Sequence, residues 1–323
     1  MPPLLIGHRG APGHLPEHTR ASYELAISQG VDAVEPDVVP TRDGVLVVRH
    51  ENEISTTTDV ADRPEFGHLC RTKSFAGVSA TGWFTEDFTW AQLSTLRCRE
   101  RIPLLRPASA AHDGEQGMLR LSDLLDALDA AGRRIRLVLE IKHAAYFAAI
   151  GLDPAPLVER DIRAAGWWGD AERLIVESFE PTVLAQLRAA GLPATFVQLI
   201  EAAGAPIDLV LARGADAPSY RDLLTPRGLD RMAGEAEGIS LDKALLLEPG
   251  GAEVVAAAHR RGLLVYTWTA RPENRFLAER FRIGEDPAGF GDYAAEWREL
   301  RASGIDGVFV DHPDLGAAVF RAG

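Results

Sequence analysis

The feature that most constrains the fold is a regular alternation of short β-branched or leucine-rich runs with alanine-rich amphipathic segments. Eight such runs occur along the 323 residues, each beside a predicted helix. Repeated strand–helix units favour a parallel sheet, and eight of them over this length fit a (β/α)8 TIM barrel better than an open doubly wound sheet. The predicted strands cover residues 3–8, 32–39, 135–141, 174–178, 194–199, 238–241, 263–268 and 306–310. The predicted helices cover residues 21–29, 121–131, 156–164, 181–190, 251–261 and 293–302.

One segment, residues 51–117, interrupts this alternation and contains no clear strand–helix unit. Because long excursions within a compact domain generally have a function, we expect a capping insertion over the active face of one TIM-barrel domain spanning residues 1–323. A passive surface excursion is the alternative. The aromatic residues of the insertion favour a small core of its own over a box for a quaternary ammonium group. They include Trp83, Phe84, Phe88 and Trp90.

The charge balance limits the classes of partner. The chain has 34 basic and 47 acidic side chains and a formal net charge of −13. A surface this acidic argues against general binding to nucleic acid or to anionic membranes, although a small anionic substrate needs only a local basic pocket. Two cysteines, Cys70 and Cys98, are too few for a disulfide framework and are expected to be free thiols.

The sequence contains no apolar run long enough to cross a bilayer, so no stable membrane insertion is expected. Its first residues lack the charged and apolar regions of a signal peptide, and we therefore expect a cytoplasmic protein. The sequence leaves a homodimer open.

Ionisable residues mark the ends of several predicted strands. His8 ends the first strand, Glu35 and Asp37 lie in the second, and Glu140 lies at the end of the third. A hairpin arm over residues 45–50 ends in His50. Since the active sites of (β/α)8 barrels form at the C-terminal ends of the strands, this coincidence is the strongest functional signal in the sequence.

Three of these residues are candidate metal ligands. Glu35 and Asp37 are two positions apart and face the same side of a strand, where their carboxylates repel unless a cation or a proton intervenes. Taken alone, the pair would be interpreted as solvated or salt-bridged. With Glu140 as a third oxygen donor and the histidines beside it, a site for a hard ion, Mg²⁺ or Ca²⁺, is favoured.

Two histidines and two cations complete the candidate site. One imidazole can accept a proton near neutral pH while another donates one, which suits His8 and His50 to acid–base catalysis. Arg9 and Lys142 lie next to these residues in the sequence and are typical partners of a phosphate, with charge balance against the carboxylates as the alternative.

These residues and the motifs around them resemble the glycerophosphodiester phosphodiesterase family, and the resemblance spans nearly the whole chain. The spacing from His8 to Glu35 to His50 is its most specific element. The insertion after the second histidine is similar to that of a longer branch of the family. The segments that carry the resemblance are IGHRG (6–10), PEHT (16–19), VEPDV (34–38), TRDG (41–44), LEIK (139–142), SF (178–179), YTWT (266–269), GIDG (304–307) and DHPD (311–314).

The resemblance implies hydrolysis of glycerophosphodiesters to an alcohol and sn-glycerol 3-phosphate, with a divalent ion, Ca²⁺ or Mg²⁺, as the cofactor. It implies that the ion binds Glu35, Asp37 and Glu140, and that His8 and His50 are the general acid and base. It further implies a phosphate clamp of Arg9 and Lys142, a glycerol-side contact at Trp268, and a supporting role for Glu17. The family commonly has Asn where His18 stands and Asp where Glu51 stands, and neither departure removes one of these residues.

Two alternatives stay open at this point. A lysophospholipase D or a sphingomyelinase-D-like phosphodiesterase would use the same residues on the same scaffold. A catalytically silent protein that binds a phosphodiester is the second alternative. The sequence does not name the alcohol that a phosphodiesterase would release.

Overall fold

The computed structural model describes residues 2–322, and strands and helices alternate along most of them. In chain order the strands are β1 (Leu4–His8), β2 (Ala33–Glu35), β3 (Asp37–Pro40), β4 (Leu46–Val48), β5 (Arg71–Phe75), β6 (Val78–Gly82), β7 (Arg136–Ile141), β8 (Leu174–Ser178), β9 (Thr195–Ile200), β10 (Gly238–Asp242), β11 (Leu264–Ala270) and β12 (Gly307–Val310). The α-helices are α1 (Arg20–Ser28), α2 (Trp90–Leu93), α3 (Pro107–Ala110), α4 (Leu121–Asp129), α5 (Ala144–Ala149), α6 (Pro154–Ala164), α7 (Pro181–Ala189), α8 (Ile207–Arg213), α9 (Tyr220–Leu223), α10 (Pro226–Glu235), α11 (Lys243–Leu247), α12 (Gly251–His259), α13 (Tyr293–Ala302) and α14 (Pro313–Phe320).

Eight parallel strands close into a barrel. β1 pairs with β2 and β12, β2 also pairs with β7, and β7 to β12 pair with one another in chain order. All eight predicted strands contribute to this barrel, so the predicted (β/α)8 architecture is confirmed. Two helices that the alternation did not predict, α10 and α14, belong to the outer layer of helices around the barrel.

The second predicted strand is divided at Pro36, which separates β2 from β3. Proline has no N–H to donate, so a regular ladder cannot continue through it. β3 carries on along β7, with Asp37 beside Glu140, and pairs on its other side with the antiparallel β4. The division therefore brings a carboxylate of the second strand next to a carboxylate of the following barrel strand.

The main core lies between the barrel and its helices. Helix α4 shows why these segments are helical, since its buried leucines recur at the spacing of one helix face: Leu121, Leu124, Leu125 and Leu128. A smaller apolar layer fills the inside of the barrel and supports the residues above it, and consists of Ile6, Ala33, Val138, Ile175, Val197, Tyr266 and Phe309.

Residues 51–117 form a separate small layer beside the hairpin arm. They contain the exposed antiparallel pair β5 and β6, helices α2 and α3, and several short turns. Their apolar cluster includes Phe88 and also takes in Val39 and Val47 of the hairpin arm. Trp83 and Trp90 pack against this cluster, so three of the four aromatic residues belong to the core of the insertion, as favoured above. Phe84 is buried outside the cluster, with the Nζ atom of Lys73 4.8 Å from its ring centre.

Two further expectations can be compared with the structure. Cys70 is exposed, Cys98 is buried, and both thiols are free. Across residues 2–322, the helices are all too short or too polar to span a membrane.

Candidate active site

The candidate site sits at the C-terminal mouth of the barrel because of the two-residue period of its strands. Side chains at alternate positions of a strand face the same side. Along four strands, an apolar residue of the inner layer is followed two positions later by an ionisable residue that lines the cavity above it. These pairs are Ile6 and His8, Ala33 and Glu35, Val138 and Glu140, and Ile175 and Glu177.

Three carboxylates converge at the wall of this cavity, and two of them, Glu35 and Glu140, line it. Glu35, Asp37 and Glu140 each offer an oxygen, and these oxygens lie within 4.8 Å of one another. All three side chains are buried, and within residues 2–322 the Oδ1 atom of Asp37 has no hydrogen-bond partner. The sequence predicted this convergence, and the structure brings all three candidate ligands together.

The proton affinities of these carboxyls reflect their crowding. Burial, reinforced by Asp37 and Glu140, raises the pKa of Glu35 well above its usual value. Burial also raises the pKa of Glu140 to about 8. At Asp37 burial acts in the same direction, but Lys142 and His50 outweigh it and hold the pKa well below its usual value.

The donor set fits a hard divalent ion. Buried carboxylates repel one another unless a cation or a proton lies between them. Carboxylate oxygens are the ligands that Mg²⁺ and Ca²⁺ prefer, and an orphaned buried oxygen on Asp37 is an acceptor available to such an ion. Glu35, Asp37 and Glu140 are therefore the residues that would hold it.

Arg9 and Lys142 border the carboxylates. Arg9 donates from Nη1 to Glu17 at 3.1 Å, and its Nε lies 3.3 Å from an oxygen of Asp37. The Nζ atom of Lys142 donates to Glu140 at 2.7 Å. Both cations are buried at the cavity wall, where they add positive charge to an otherwise acidic site.

His8 is bound by a carboxylate from the other end of the sequence. Its Nδ1 lies 2.6 Å from Oδ1 of Asp311, which directly follows β12. Burial and the nearby Arg9 lower the pKa of His8 to about 4. Since a carboxylate only accepts, we assign the Nδ1 proton to this hydrogen bond, which leaves Nε2 as a proton acceptor.

His50 has a similar arrangement. Its Nδ1 lies 2.5 Å from Oε1 of Glu51, and its Nε2 lies 3.1 Å from the Nζ atom of Lys142. Burial, Arg9 and Lys142 lower the pKa of His50 to about 3. Both imidazoles are thus neutral at pH 7, and each is oriented by a carboxylate.

Two arginines of the insertion hold the carboxylates that bind the histidines. Arg101 donates to Glu17 at 3.0 Å and also pairs with Glu51. Arg106 donates to Asp311 at 2.6 Å and to Glu273 at 2.7 Å. The insertion therefore contacts the site through its 101–106 segment.

The site opens into a cavity of about 680 Å³. Trp268 of β11 lines this cavity, and its indole N–H donates to the carbonyl of Ser240 at 3.2 Å. Phe179 lies edge-to-face with Trp268, with the ring centres 5.6 Å apart. Every residue predicted for the site lines this cavity or contacts a residue that does.

Sequence reasoning missed several residues of this site. Asp311 was visible as a strand end, but nothing in the sequence linked it to His8, which lies 303 positions away. The same holds for Arg101 and Arg106, which lie in the insertion. Glu177 precedes a recognised motif and could have been found from the alternation of its strand, as its neighbour Glu140 was.

The barrel and its site define a class. The arrangement at the strand ends is typical of a hydrolase that acts on phosphate esters. It combines buried carboxylates that could hold a metal ion, two carboxylate-bound histidines and two cations. Comparison with known proteins then identifies the family. Residues 8–315 match the sequence model of the glycerophosphoryl diester phosphodiesterase family, and the chain belongs to that family. It is accordingly a phosphoric diester hydrolase.

Relatives match over most of their length. A glycerophosphodiester phosphodiesterase of Arabidopsis thaliana, GDPD6, is 29% identical, with 96% of this chain and 83% of the relative covered. The glycerophosphodiester phosphodiesterase of Treponema pallidum (strain Nichols) is 25% identical, with 97% and 90% covered.

Solved structures share the fold. The crystal structure of a glycerophosphodiester phosphodiesterase from Agrobacterium tumefaciens has a TM-score of 0.61 at 21% identity and covers 98% of this chain and 100% of its own. An Oleispira antarctica phosphodiesterase in complex with the product sn-glycerol-3-phosphate has a TM-score of 0.66 at 18% identity, with 99% and 98% covered.

Proposed function

We propose that this protein hydrolyses glycerophosphodiesters to an alcohol and sn-glycerol 3-phosphate, with a divalent ion and with His8 and His50 as the general acid and base. The observation that carries the proposal is that both carboxylate-bound histidines line one cavity together with Glu35 and Glu140, whose oxygens lie within 4.8 Å of an oxygen of Asp37. Family membership and the product complex of the Oleispira antarctica phosphodiesterase support the substrate class.

The phosphodiester would be bound by cations of this chain. Arg9 and Lys142 present a guanidinium and an ammonium group at the cavity wall, and both are suited to phosphoryl oxygens. When bound to Glu35, Asp37 and Glu140, the divalent ion would supply further positive charge beside the phosphate. Trp268 would pack against the glycerol, and Glu17 would hold Arg9 in place by accepting a hydrogen bond from its guanidinium group.

Proton transfer follows from the states of the two imidazoles. With Nδ1 bound to a carboxylate, each histidine has Nε2 left to exchange a proton, at His50 in place of the contact with Lys142. One imidazole can therefore take a proton from the oxygen nucleophile that attacks phosphorus as the bond to the alcohol breaks. The nucleophile is either water or the glycerol hydroxyl, and in the second case water then opens the cyclic phosphate. Arg9 and Lys142 disfavour the charged form of His50. A phosphodiester anion bound between these cations offsets their charge and raises the proton affinity of the imidazoles, which enables one of them to protonate the departing alkoxide.

The first prediction concerns the histidines. His8→Ala and His50→Ala should each lower the release of glycerol 3-phosphate from glycerophosphocholine about 10²- to 10⁴-fold, the usual contribution of general acid–base catalysis. A coupled assay for glycerol 3-phosphate measures this, and circular dichroism verifies folding. His112→Ala, a partly exposed histidine of the insertion whose imidazole contacts only the exposed Glu115, is the control. Turnover near the wild-type rate in both folded variants would refute the assignment.

The second prediction concerns the ion. Chelation should abolish activity and lower the melting temperature, because a ligand at 100 times its Kd stabilises a fold by about 2.7 kcal/mol. Adding Ca²⁺ or Mg²⁺ separately should restore both and identify the preferred ion. In Glu140→Gln, the melting temperature should no longer rise when the ion is added. In Glu172→Gln, which removes an exposed carboxylate before β8, it should rise as in the wild type. A wild-type melting temperature that ignores both ions would contradict the proposal.

A further inference from the structure

A second cavity adjoins the catalytic cavity at the 101–106 segment of the insertion. It has a volume of about 280 Å³, and both histidines line it as well as the catalytic cavity. The residues that line both cavities are His8, Arg9, His50, Arg271 and Phe276. Trp268 lines only the catalytic cavity, so the histidines border both the space beside Trp268 and this second space.

The carboxylates of the second cavity all have partners within the protein. Glu100 accepts a hydrogen bond from the hydroxyl of Ser109 at 2.6 Å and another from the backbone N–H of Ile102 at 2.9 Å. The other carboxylates are bound by the arginines and histidines described above, and they are Glu17, Glu51 and Asp311. None of them is therefore left as an acceptor for a cation in this cavity.

The open polar groups of the second cavity are instead guanidinium donors. Arg271 donates from Nε to Asp311 at 2.7 Å, but its Nη1 and Nη2 atoms have no hydrogen-bond partner within residues 2–322. Arg106 donates from Nε and Nη2, which leaves its Nη1 without a partner among the same residues, although Arg106 is only 6% exposed. Buried donors cost stability unless something satisfies them, and these N–H groups call for an acceptor.

Arg271 is held in a position to serve a ligand. Its guanidinium carbon lies 4.6 Å from the centre of the Phe276 ring, and its Nε binds the carboxylate of Asp311. These two contacts fix the plane of the guanidinium and leave both Nη groups open. Burial and the like charges of Arg106 and Arg9 outweigh Asp311 and lower the pKa of Arg271, so its positive charge is not fully balanced by the protein.

We propose that the second cavity receives the alcohol part of the substrate, and that Arg271 binds an anionic group carried by that alcohol. The inference rests on the proposed function and deepens it, since it names the alcohol class. A phosphodiester has two ester arms. With the glycerol arm at Trp268, the other arm passes the histidines and enters the second cavity, where an imidazole can protonate the departing alkoxide.

The open donors of Arg271 explain why charge is recognised. Two N–H groups of one planar guanidinium match the oxygens of a carboxylate or a phosphate, and such charge-assisted pairs are about twice as strong as neutral hydrogen bonds. A neutral alcohol of the same shape fills the same space but leaves Arg271 without a counter-charge. Arg271 is thus a specificity-determining residue on the alcohol side of the phosphate.

The test compares two substrates that differ in one charge. They are the glycerol 3-phosphate diesters of γ-hydroxybutyrate and of γ-hydroxybutyramide, so that a carboxylate is compared with an amide of nearly the same shape. The wild-type protein should have the higher kcat/KM for the carboxylate. Arg271→Gln should reduce this preference about fivefold, the factor for one unit-charge contact across roughly 4 Å of water. Arg271→Lys keeps the charge without the planar fork, and its preference should lie between the two.

The ratio of the two kcat/KM values separates recognition of the alcohol from the contact of Arg271 with Asp311. A disturbance of His8 through Asp311 lowers the rates for both substrates alike and leaves the ratio unchanged. Arg275→Gln is the matched control, because Arg275 is an exposed arginine of the same loop and lines neither cavity. It removes the same charge and should keep the wild-type preference.

Equal kcat/KM for the carboxylate and the amide in the wild type would overturn the inference. So would a higher kcat/KM for the cationic glycerophosphocholine than for the carboxylate. An equal loss on both substrates in Arg271→Gln would also overturn it, because Arg271 would then act on the phosphate they share or on His8. Failure of the wild type to release glycerol 3-phosphate from any of the three would instead refute the proposed function, and the inference with it.

Discussion

At the scale of single residues, Asp311 determines the state of His8. It receives His8 at 2.6 Å on one oxygen, and on the other it receives Arg106 at 2.6 Å and Arg271 at 2.7 Å. Burial alone would raise the pKa of Asp311, but the two arginines and His8 hold it well below its usual value. The carboxylate therefore stays ionised, fixes the tautomer of the imidazole and can stabilise its charged form during turnover.

Asp311→Asn tests this role. The amide keeps the shape but can donate to Nδ1, which would move the imidazole proton to Nε2 and remove the acceptor. A comparable change in a histidine–carboxylate pair of a protease lowers kcat about 10⁴-fold, and we expect a loss of about 10²- to 10⁴-fold here with little change in KM. Loss of a partner for two arginines should also lower the melting temperature. A folded variant with a kcat within a few-fold of wild type would contradict this account.

At the scale of elements, the 101–106 segment links the insertion to both histidines. Arg101 holds Glu51, which binds His50, and Arg106 holds Asp311, which binds His8. The insertion thus holds the carboxylates that bind two imidazoles which it does not itself contain. A cap over the active face stays a prediction for the rest of residues 51–117.

Arg101→Lys tests the link. Lysine keeps the charge but cannot hold Glu17 and Glu51 together with one planar fork. We expect kcat to fall about tenfold, which corresponds to about 1.4 kcal/mol, with a smaller change in KM. Arg99→Lys is the matched control, because Arg99 lies two residues before Arg101 in the insertion and pairs with the exposed Asp62. Equal kcat values for the two variants would show that the segment does not position His50.

The strands differ in how far the sequence pattern predicts them. Barrel strands were recognised because strands buried on both faces read as short apolar runs between helices. The pair β5 and β6 was not, since its exposed positions carry polar residues such as Thr72 and Ser74 that give no alternation. The candidate ligands were found because they follow strand periodicity. Arg106 could not be found, because its contact with Asp311 joins positions 205 residues apart and depends on the closed fold.

At the scale of the whole molecule, the fold buries titratable groups that an unfolded chain would expose to water. Among them are histidines held in the neutral form. Burial lowers the pKa of His312 to about 4, as it does for His8. Within residues 2–322, Nδ1 of His312 has no hydrogen-bond partner, and Gly13 lies so close to its ring that a Cβ atom there would clash. These buried neutral histidines therefore make the free energy of unfolding depend on pH, with lower stability in acid.

The last prediction concerns this pH dependence of stability. Between about pH 6.5 and pH 4, the unfolded chain binds a proton at His312 while the folded chain does not, so stability falls as the pH falls, by about 1.4 kcal/mol per pH unit for such a histidine. Urea unfolding of the wild type at pH 7 and pH 5 should show this loss. His312→Gln should be less stable at pH 7 because its packing is altered, yet should lose less stability between the two pH values. His68→Gln, an exposed position in the insertion, should keep the wild-type dependence. An unchanged pH dependence in His312→Gln would show that the acid sensitivity arises elsewhere in the barrel.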